Sequence, residues 1–350
     1  MKKLLINITL LLLIVLILNK TLFSFFHLPF FWGIDYERYC CYKQKWPPVN
    51  ALFLGSSLTG RQVLPSEFDS LNAASNVKTI SYNFGLDASD PAELFANSNQ
   101  VLNQADSTLK YLIVELMPVI KFDNTRLHLL RFKSNFDTNQ FINYIGISLF
   151  SNLPFLAKLE TILSKLTLYI EFQYKFGFLE NALKFKQNQS NINCRNDSLS
   201  GFTPCISTTS PEVTFEGKMF KNPHLKFLNE QLNTFRLNEE SAQNILTNKT
   251  YFSTQNPNRV YATLIMQLLA TSNAKHVKML FVLPPRLSKE DYSYLVPIYN
   301  SLPETIRIEL ANSYQYPEFY TIKNSYDLLH LNKSGAEIYT SELSKKFCGL

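Results

Sequence analysis

No Cys-x-x-Cys pair, no Gly-x-x-x-x-Gly-Lys-[Ser/Thr] loop and no His-Glu-x-x-His occurs in this chain. The first absence leaves zinc-ribbon and thioredoxin-like readings without support. The others do the same for a phosphate-cradling loop and a helix-borne zinc protease site. Gly-x-Ser-x-Gly is also missing, which argues against the strained serine elbow of the α/β-hydrolases. Charge is sparse as well: 18% of residues are charged, the net value is +6, and Lys and Arg are scattered. Without a compact basic stripe there is no electrostatic footprint for nucleic acid. Only ten glycines are present in 350 residues, with no internal repeat and no low-complexity tract. His27, His128, His224 and His276 lie too far apart in sequence to suggest a metal cluster, so neither metal nor cofactor is expected.

What the chain does have begins at its N-terminus. Lys2 and Lys3 precede a Leu-, Ile- and Val-rich run to Leu18, and apolarity resumes from Leu22 to Trp32 after Asn19-Lys20. A spanning helix needs roughly 20 apolar residues, whereas a cleaved signal is shorter and ends at small residues. No Ala-x-Ala site follows, so residues 1–32 are expected to be an uncleaved anchor rather than a removed signal or a core helix. Contact with the lipid bilayer is expected through residues 4–31. Lys2 and Lys3 would stay cytoplasmic, placing the rest of a single-pass chain in the periplasm or outside the cell. Residues 33–48 read as a membrane-proximal linker ending at Pro47-Pro48. Cys194 and Cys205 bracket a polar loop at a spacing compatible with a disulfide outside the cytosol, or with two unrelated thiols. Cys40 and Cys41 are adjacent, which would strain a mutual bridge.

Beyond Pro48, short apolar runs alternate with helical patterns. Strands are predicted over residues 51–54, 79–82, 111–114, 276–283 and 306–310. Helices are predicted over residues 91–104, 256–272 and 333–347, with Pro257 near one start and Asn332 as an N-cap. The alternation predicts an α/β fold: a three-layer αβα sandwich around a mostly parallel five-stranded sheet, within a domain spanning 49–350. Residues 120–255 break the rhythm and read as a large insertion, with helical pieces over 141–168 and 224–246. Its aromatic richness suits core packing first and a carbohydrate or lipid groove second.

The chemistry-bearing residues sit at the two ends of this domain. Gly55-Ser56-Ser57 follows the first strand, where ligands bind in open parallel sheets. Alone, such a serine is as well explained by a helix cap or a turn. Near the C-terminus, Asp327 and His330 stand three positions apart on one short segment. That spacing lets a carboxylate orient an imidazole, and a positioned imidazole is what a serine hydroxyl needs to become a nucleophile. Glu115, at the end of the third strand, faces the same crevice and is either a substrate contact or a structural carboxylate.

Taken together, FLGSSLTGRQVLP (53–65), YNFGLDASDPAEL (82–94), YLIVELMP (111–118) and YDLLHLNKSGAEIY (326–339) resemble the SGNH, or GDSL-like, hydrolase superfamily. The likeness is to membrane-anchored, exported members that handle acyl groups on cell-envelope polymers. It implies a flavodoxin-like SGNH fold, with Ser57 as nucleophile, His330 as general base and Asp327 as its orienting partner. It further implies oxyanion donors at the Ser57 amide and near Gly85 and Ala88. The family's third donor, an Asn side chain in the block after the third strand, has no counterpart in Glu115-Leu116-Met117. The implied activity is that of a serine esterase or O-acyltransferase on an acylated polysaccharide or similar envelope polymer. A catalytically idle glycan-binding or scaffold protein is the alternative. An integral-membrane acyltransferase is a candidate partner.

Overall fold

A computed structural model of the chain describes residues 2–24, 34–44, 47–87, 89–119, 138–151, 153–174, 214–215, 218–219, 228–237 and 257–350. Its centre is one all-parallel sheet of five strands. These are β1 (Ala51–Gly55), β2 (Ser81–Gly85), β3 (Tyr111–Glu115), β6 (Lys278–Leu283) and β7 (Arg307–Glu309), in the order β2-β1-β3-β6-β7. A separate antiparallel pair, β4 (Thr214–Phe215) and β5 (Lys218–Met219), lies in the insertion.

β1, β3 and β6 read as nearly continuous apolar runs because both sheet faces are covered. Phe53, Ile113, Leu280 and Val282 point into one core with Phe68, Tyr339 and Phe347, the last two on the C-terminal helix. Their neighbours Leu52, Leu54, Leu112, Val114 and Phe281 point into the opposite core with Phe95, Tyr261 and Leu295. The period-2 alternation therefore yields helices on both sides of the sheet, as expected.

The helices follow from local signals. They are α1 (Lys2–Ser24), α2 (Ile34–Gln44), α3 (Ser57–Gln62), α4 (Pro65–Ala74), α5 (Pro91–Asn103), α6 (Thr138–Leu149), α7 (Phe155–Tyr174), α8 (residues 228–237), α9 (Arg259–Ala274), α10 (Lys289–Ser301) and α11 (Lys333–Cys348). Asp90 caps α5 by accepting from the Glu93 amide at 3.0 Å, with Pro91 at the first helical position. Asn332 caps α11 by accepting from the Gly335 amide at 3.0 Å, as its sequence context predicts. The start of α9 falls later than predicted, because the Asn258 side chain takes the Tyr261 amide and ends the non-helical approach there. The single helical piece expected over 141–168 is two helices, broken just before Phe155 by Pro154, which disfavours helical geometry in the preceding residue.

Two regions depart from expectation. The stretch 33–48, expected as a linker, contains α2 docked on β2, an edge strand of the sheet. The Tyr82 hydroxyl donates to the Arg38 carbonyl at 2.9 Å, the Arg38 guanidinium donates to the Gly85 carbonyl, and the Tyr42 and Tyr82 rings sit 5.7 Å apart. A helix laid there shields the edge. Cys41 in this helix is buried and disulfide-bonded, while Cys40 and Cys348 are free; Cys194 and Cys205 lie outside the described residues. The second region is the expected anchor over residues 1–32: α1 covers residues 2–24 of it, and among the described residues no helix is long and apolar enough to cross a membrane.

The insertion helix α7 is tied to the sheet domain by a buried ion pair. Lys165 Nζ lies 2.5 Å from Asp90 Oδ2, and it also sits 4.0 Å above the Tyr144 ring. The side chain that caps α5 thus also holds the insertion over the carboxyl ends of the strands.

Candidate active site

The chain runs from β1 to β2 on one side and then to β3 on the other, so the sheet order reverses at β1. Such a switch point opens a crevice at the carboxyl ends of the flanking strands, and Gly55-Ser56-Ser57 occupies it. Ser56 caps α3, with Oγ accepting from the Leu58 amide at 3.1 Å. Ser57 is the first residue of that short helix, with its side chain half-buried.

The C-terminal segment reaches the same place. His330 Nε2 lies 2.8 Å from Ser57 Oγ, and His330 Nδ1 lies 2.8 Å from Asp327 Oδ2. Asp327 Oδ1 also accepts the backbone amides of Leu329 and His330 at 2.8 and 2.7 Å, closing a tight turn around the carboxylate. Burial opposes charge on Asp327, but the hydrogen bonds and the His330 ring outweigh it and hold the carboxyl below its usual range. An ionised Asp327 fixes the proton on Nδ1, which leaves Nε2 as an acceptor facing the Ser57 hydroxyl.

Two buried charged residues hold the halves of this triad. Arg286, 2% exposed and at a φ of 63°, follows β6. Its Nε donates to the Phe319 carbonyl at 2.6 Å and its Nη2 to Ser325 Oγ at 2.6 Å. Nη1 reaches the Asp327, Leu328 and His330 carbonyls at 3.1, 3.4 and 3.3 Å. The guanidinium therefore gathers the backbone of the whole Asp-His turn. On the other side, Glu115 is 4% exposed and accepts four hydrogen bonds from Ser56 and Thr59. Both carboxylate oxygens accept from these two residues and the side chain is buried, an arrangement that fits the structural alternative. The halves are also linked directly. Gln62 Nε2 donates to the Leu329 carbonyl at 3.2 Å, and Thr340 on α11 accepts from the Leu64 amide at 3.0 Å.

A comparison of the chain with family models, with curated proteins and with solved structures finds no match. The site must therefore be judged on its geometry.

The expected oxyanion donors are placed unequally. Among the described residues the Ser57 amide has no acceptor. Gly85 ends β2, and its amide donates to Asn83 Oδ1 at 3.0 Å, so it is no donor to substrate. Its role is steric. A Cβ there would meet the Gly60 amide nitrogen at 2.1 Å and the Ser56 carbonyl at 2.8 Å, so only glycine lets the turn from Ser56 to Gly60 lie on β2. Ala88 lies outside the described residues. After β3, the Leu116 and Met117 amides are taken by the Val282 carbonyl and the Tyr261 hydroxyl, and no side-chain amide follows in Glu115-Leu116-Met117.

Sequence reasoning missed Arg286, Gln62 and Asn83. A basic residue just past a strand's carboxyl end was the signal for Arg286. For Asn83 it was an amide flanked by the aromatic residues Tyr82 and Phe84. Its Nδ2 donates to the Thr59 and Val63 carbonyls at 2.7 and 2.8 Å, holding both ends of α3 against β2.

Proposed function

We infer that the protein is a membrane-attached serine acyl-transfer enzyme of the SGNH type, acting on ester groups of an exported glycan or similar polymer. The observation that carries this reading is the continuous chain from Asp327 through His330 to Ser57, with both imidazole nitrogens at 2.8 Å from their partners. In the mechanism that this geometry supports, Ser57 Oγ attacks the ester carbonyl carbon while its proton passes to His330 Nε2. The Ser57 amide faces the developing oxyanion. Collapse breaks the bond to the leaving alkoxide, which takes the proton from His330, and an acyl-Ser57 ester remains. Water or a sugar hydroxyl then attacks this ester, gives its proton to His330, and the proton returns to Ser57 Oγ as the acyl group departs.

The donor shortage after β3 favours transfer over fast hydrolysis. Loss of one oxyanion donor costs on the order of 100- to 1,000-fold in rate, and a bound, oriented acceptor can offset that through proximity. Membrane attachment is supported by the exposed apolar surface of the 23-residue helix α1 rather than by a span, since among the described residues no helix is long and apolar enough to cross a membrane. Its Leu10, Leu11, Ile14 and Ile17 are each about half exposed. A bilayer would cover this surface, with the catalytic domain on the exported side.

The test is turnover of p-nitrophenyl acetate and of an acetylated oligosaccharide by the full chain in detergent micelles, with and without an unacetylated acceptor sugar. Acyl transfer to the acceptor, abolished by Ser57→Ala, is the expected result. Oligosaccharide binding that survives in Ser57→Ala, with no turnover by the wild-type chain, would instead identify an idle glycan-binding protein.

A further inference from the structure

The amides of the nucleophile turn are almost all spoken for. The Ser56 and Thr59 amides each donate to Glu115 Oε2 at 3.1 Å. The Leu58 amide donates to Ser56 Oγ at 3.1 Å, and the Gly60 amide to the Ser56 carbonyl at 3.0 Å. Among the described residues the Ser57 amide alone in this turn has no acceptor. Two hydroxyls complete the cradle: Thr59 Oγ1 at 2.5 Å from Glu115 Oε2, and Ser56 Oγ at 2.7 Å from Oε1.

We propose that Glu115 is the positioning residue of the acyl-transfer site. Its carboxylate, reaching across from β3, sets the pitch of the nucleophile turn so that one amide, that of Ser57, is left to face the oxyanion. This rests on the reading of Ser57 as the nucleophile.

The argument is geometric. A free helix start presents several donors to whatever anion approaches. Here Oε2 takes the Ser56 and Thr59 amides, which bracket Ser57 and Leu58, and so fixes the turn from both sides of the nucleophile. The space is matched to the clamp. A Cβ on Gly55 would meet Thr59 Oγ1 at 2.1 Å and Glu115 Oε2 at 2.5 Å, so the backbone approaches the carboxylate as closely as a glycine permits. With a single strong donor available, its direction matters more than in a site with three.

Glutamine is nearly isosteric and can keep every contact. Its oxygen takes the place of Oε2, and its NH2 donates to Ser56 Oγ, which then turns its own proton elsewhere. Alanine keeps none. The clamp therefore predicts a specific order of variants in a covalent-labelling experiment on the full chain in micelles, with a fluorophosphonate as probe.

Wild type should label at Ser57. Glu115→Gln should label within about threefold of that rate. Glu115→Ala, checked for folding by circular dichroism, should lose at least about 100-fold in the maximal labelling rate, with the concentration for half-maximal rate little changed. That split separates a misdirected nucleophile from a collapsed crevice. Should Glu115→Ala not fold, Thr59→Val decides, because it removes one hydroxyl of the cradle while keeping the side-chain shape. A tenfold or greater slowing supports the clamp, and a wild-type rate overturns it. A folded Glu115→Ala that labels as fast as wild type overturns the clamp while leaving Ser57 as nucleophile. A wild-type chain that does not label removes the underlying reading itself.

Discussion

Arg286 gives the sharpest test of how the triad is held. Arg286→Met keeps most of the stem's volume and removes every donor. Of the five acceptors the guanidinium reaches, the His330 carbonyl keeps the Tyr326 amide at 2.9 Å and Ser325 Oγ keeps its bond to the Thr321 carbonyl at 2.7 Å. The Phe319, Asp327 and Leu328 carbonyls have no such second bond to fall back on among the described residues. An acceptor left without a donor costs about 1–3 kcal/mol, so two or three of them amount to about 2–9 kcal/mol. In a chain of this size that lowers Tm by on the order of 10 °C. The native backbone also holds a non-glycine residue in the left-handed region, at a cost of order 1 kcal/mol, which the hydrogen bonds must outweigh. Arg286→Lys keeps the charge but replaces a three-nitrogen fork by one ammonium, and should fall between wild type and Met. Thermal unfolding and the rate of fluorophosphonate labelling are measured side by side. A displacement of His330 by about 1 Å is worth on the order of 100-fold in rate, so labelling should fall further than stability alone explains. A Met variant with unchanged Tm and unchanged labelling would refute the account of this turn.

Three other outcomes follow from buried or charged groups. Asp327→Asn should lower turnover by about 1,000- to 10,000-fold, because the amide no longer fixes the His330 tautomer. Its stability effect should depend on pH with a definite sign. The folded carboxyl sits below its unfolded value of about 3.9, so its stabilisation is complete above that value and is lost as pH falls through the folded one. The Tm gap between wild type and Asp327→Asn should therefore narrow on acidification below about pH 4, as a melting series would show. Lys165→Met leaves Asp90 as an uncompensated carboxylate and should cost about 3–5 kcal/mol, whereas adding Asp90→Asn should recover much of it in a double-mutant cycle. Thiol alkylation of the folded chain without reductant should modify Cys40 and Cys348 and spare Cys41, because Cys41 is bonded and the other two are free.

Much of the sheet was legible because its strands are buried on both faces and so appear as apolar runs bounded by turn residues. β1 and β3 each extend one residue beyond the predicted run, to Gly55 and Glu115, polar or glycine ends that periodicity does not count. β2 begins two residues later than predicted, since its register pairs Ser81 with Ala51 and Gly85 with Gly55. The helices α3 and α4 escaped notice for a different reason. α3 is six residues long and owes its shape to Glu115 and Asn83, contacts made by residues far away in sequence. The same limit explains the site. Ser57, Asp327 and His330 carry their chemistry in their own side chains, so spacing and order exposed them. Arg286 and Glu115 act on other segments, and a charge at a strand's carboxyl end marks their place in the crevice without showing which segment they hold.

The central claim is that Ser57 is an activated nucleophile. Its most direct test is mass spectrometry of the full chain after treatment with a fluorophosphonate, followed by peptide mapping. The account predicts a single adduct on the peptide bearing Ser57, absent in Ser57→Ala and strongly reduced in His330→Ala. An unmodified Ser57 in folded protein, or an adduct that persists at full yield without His330, would contradict it.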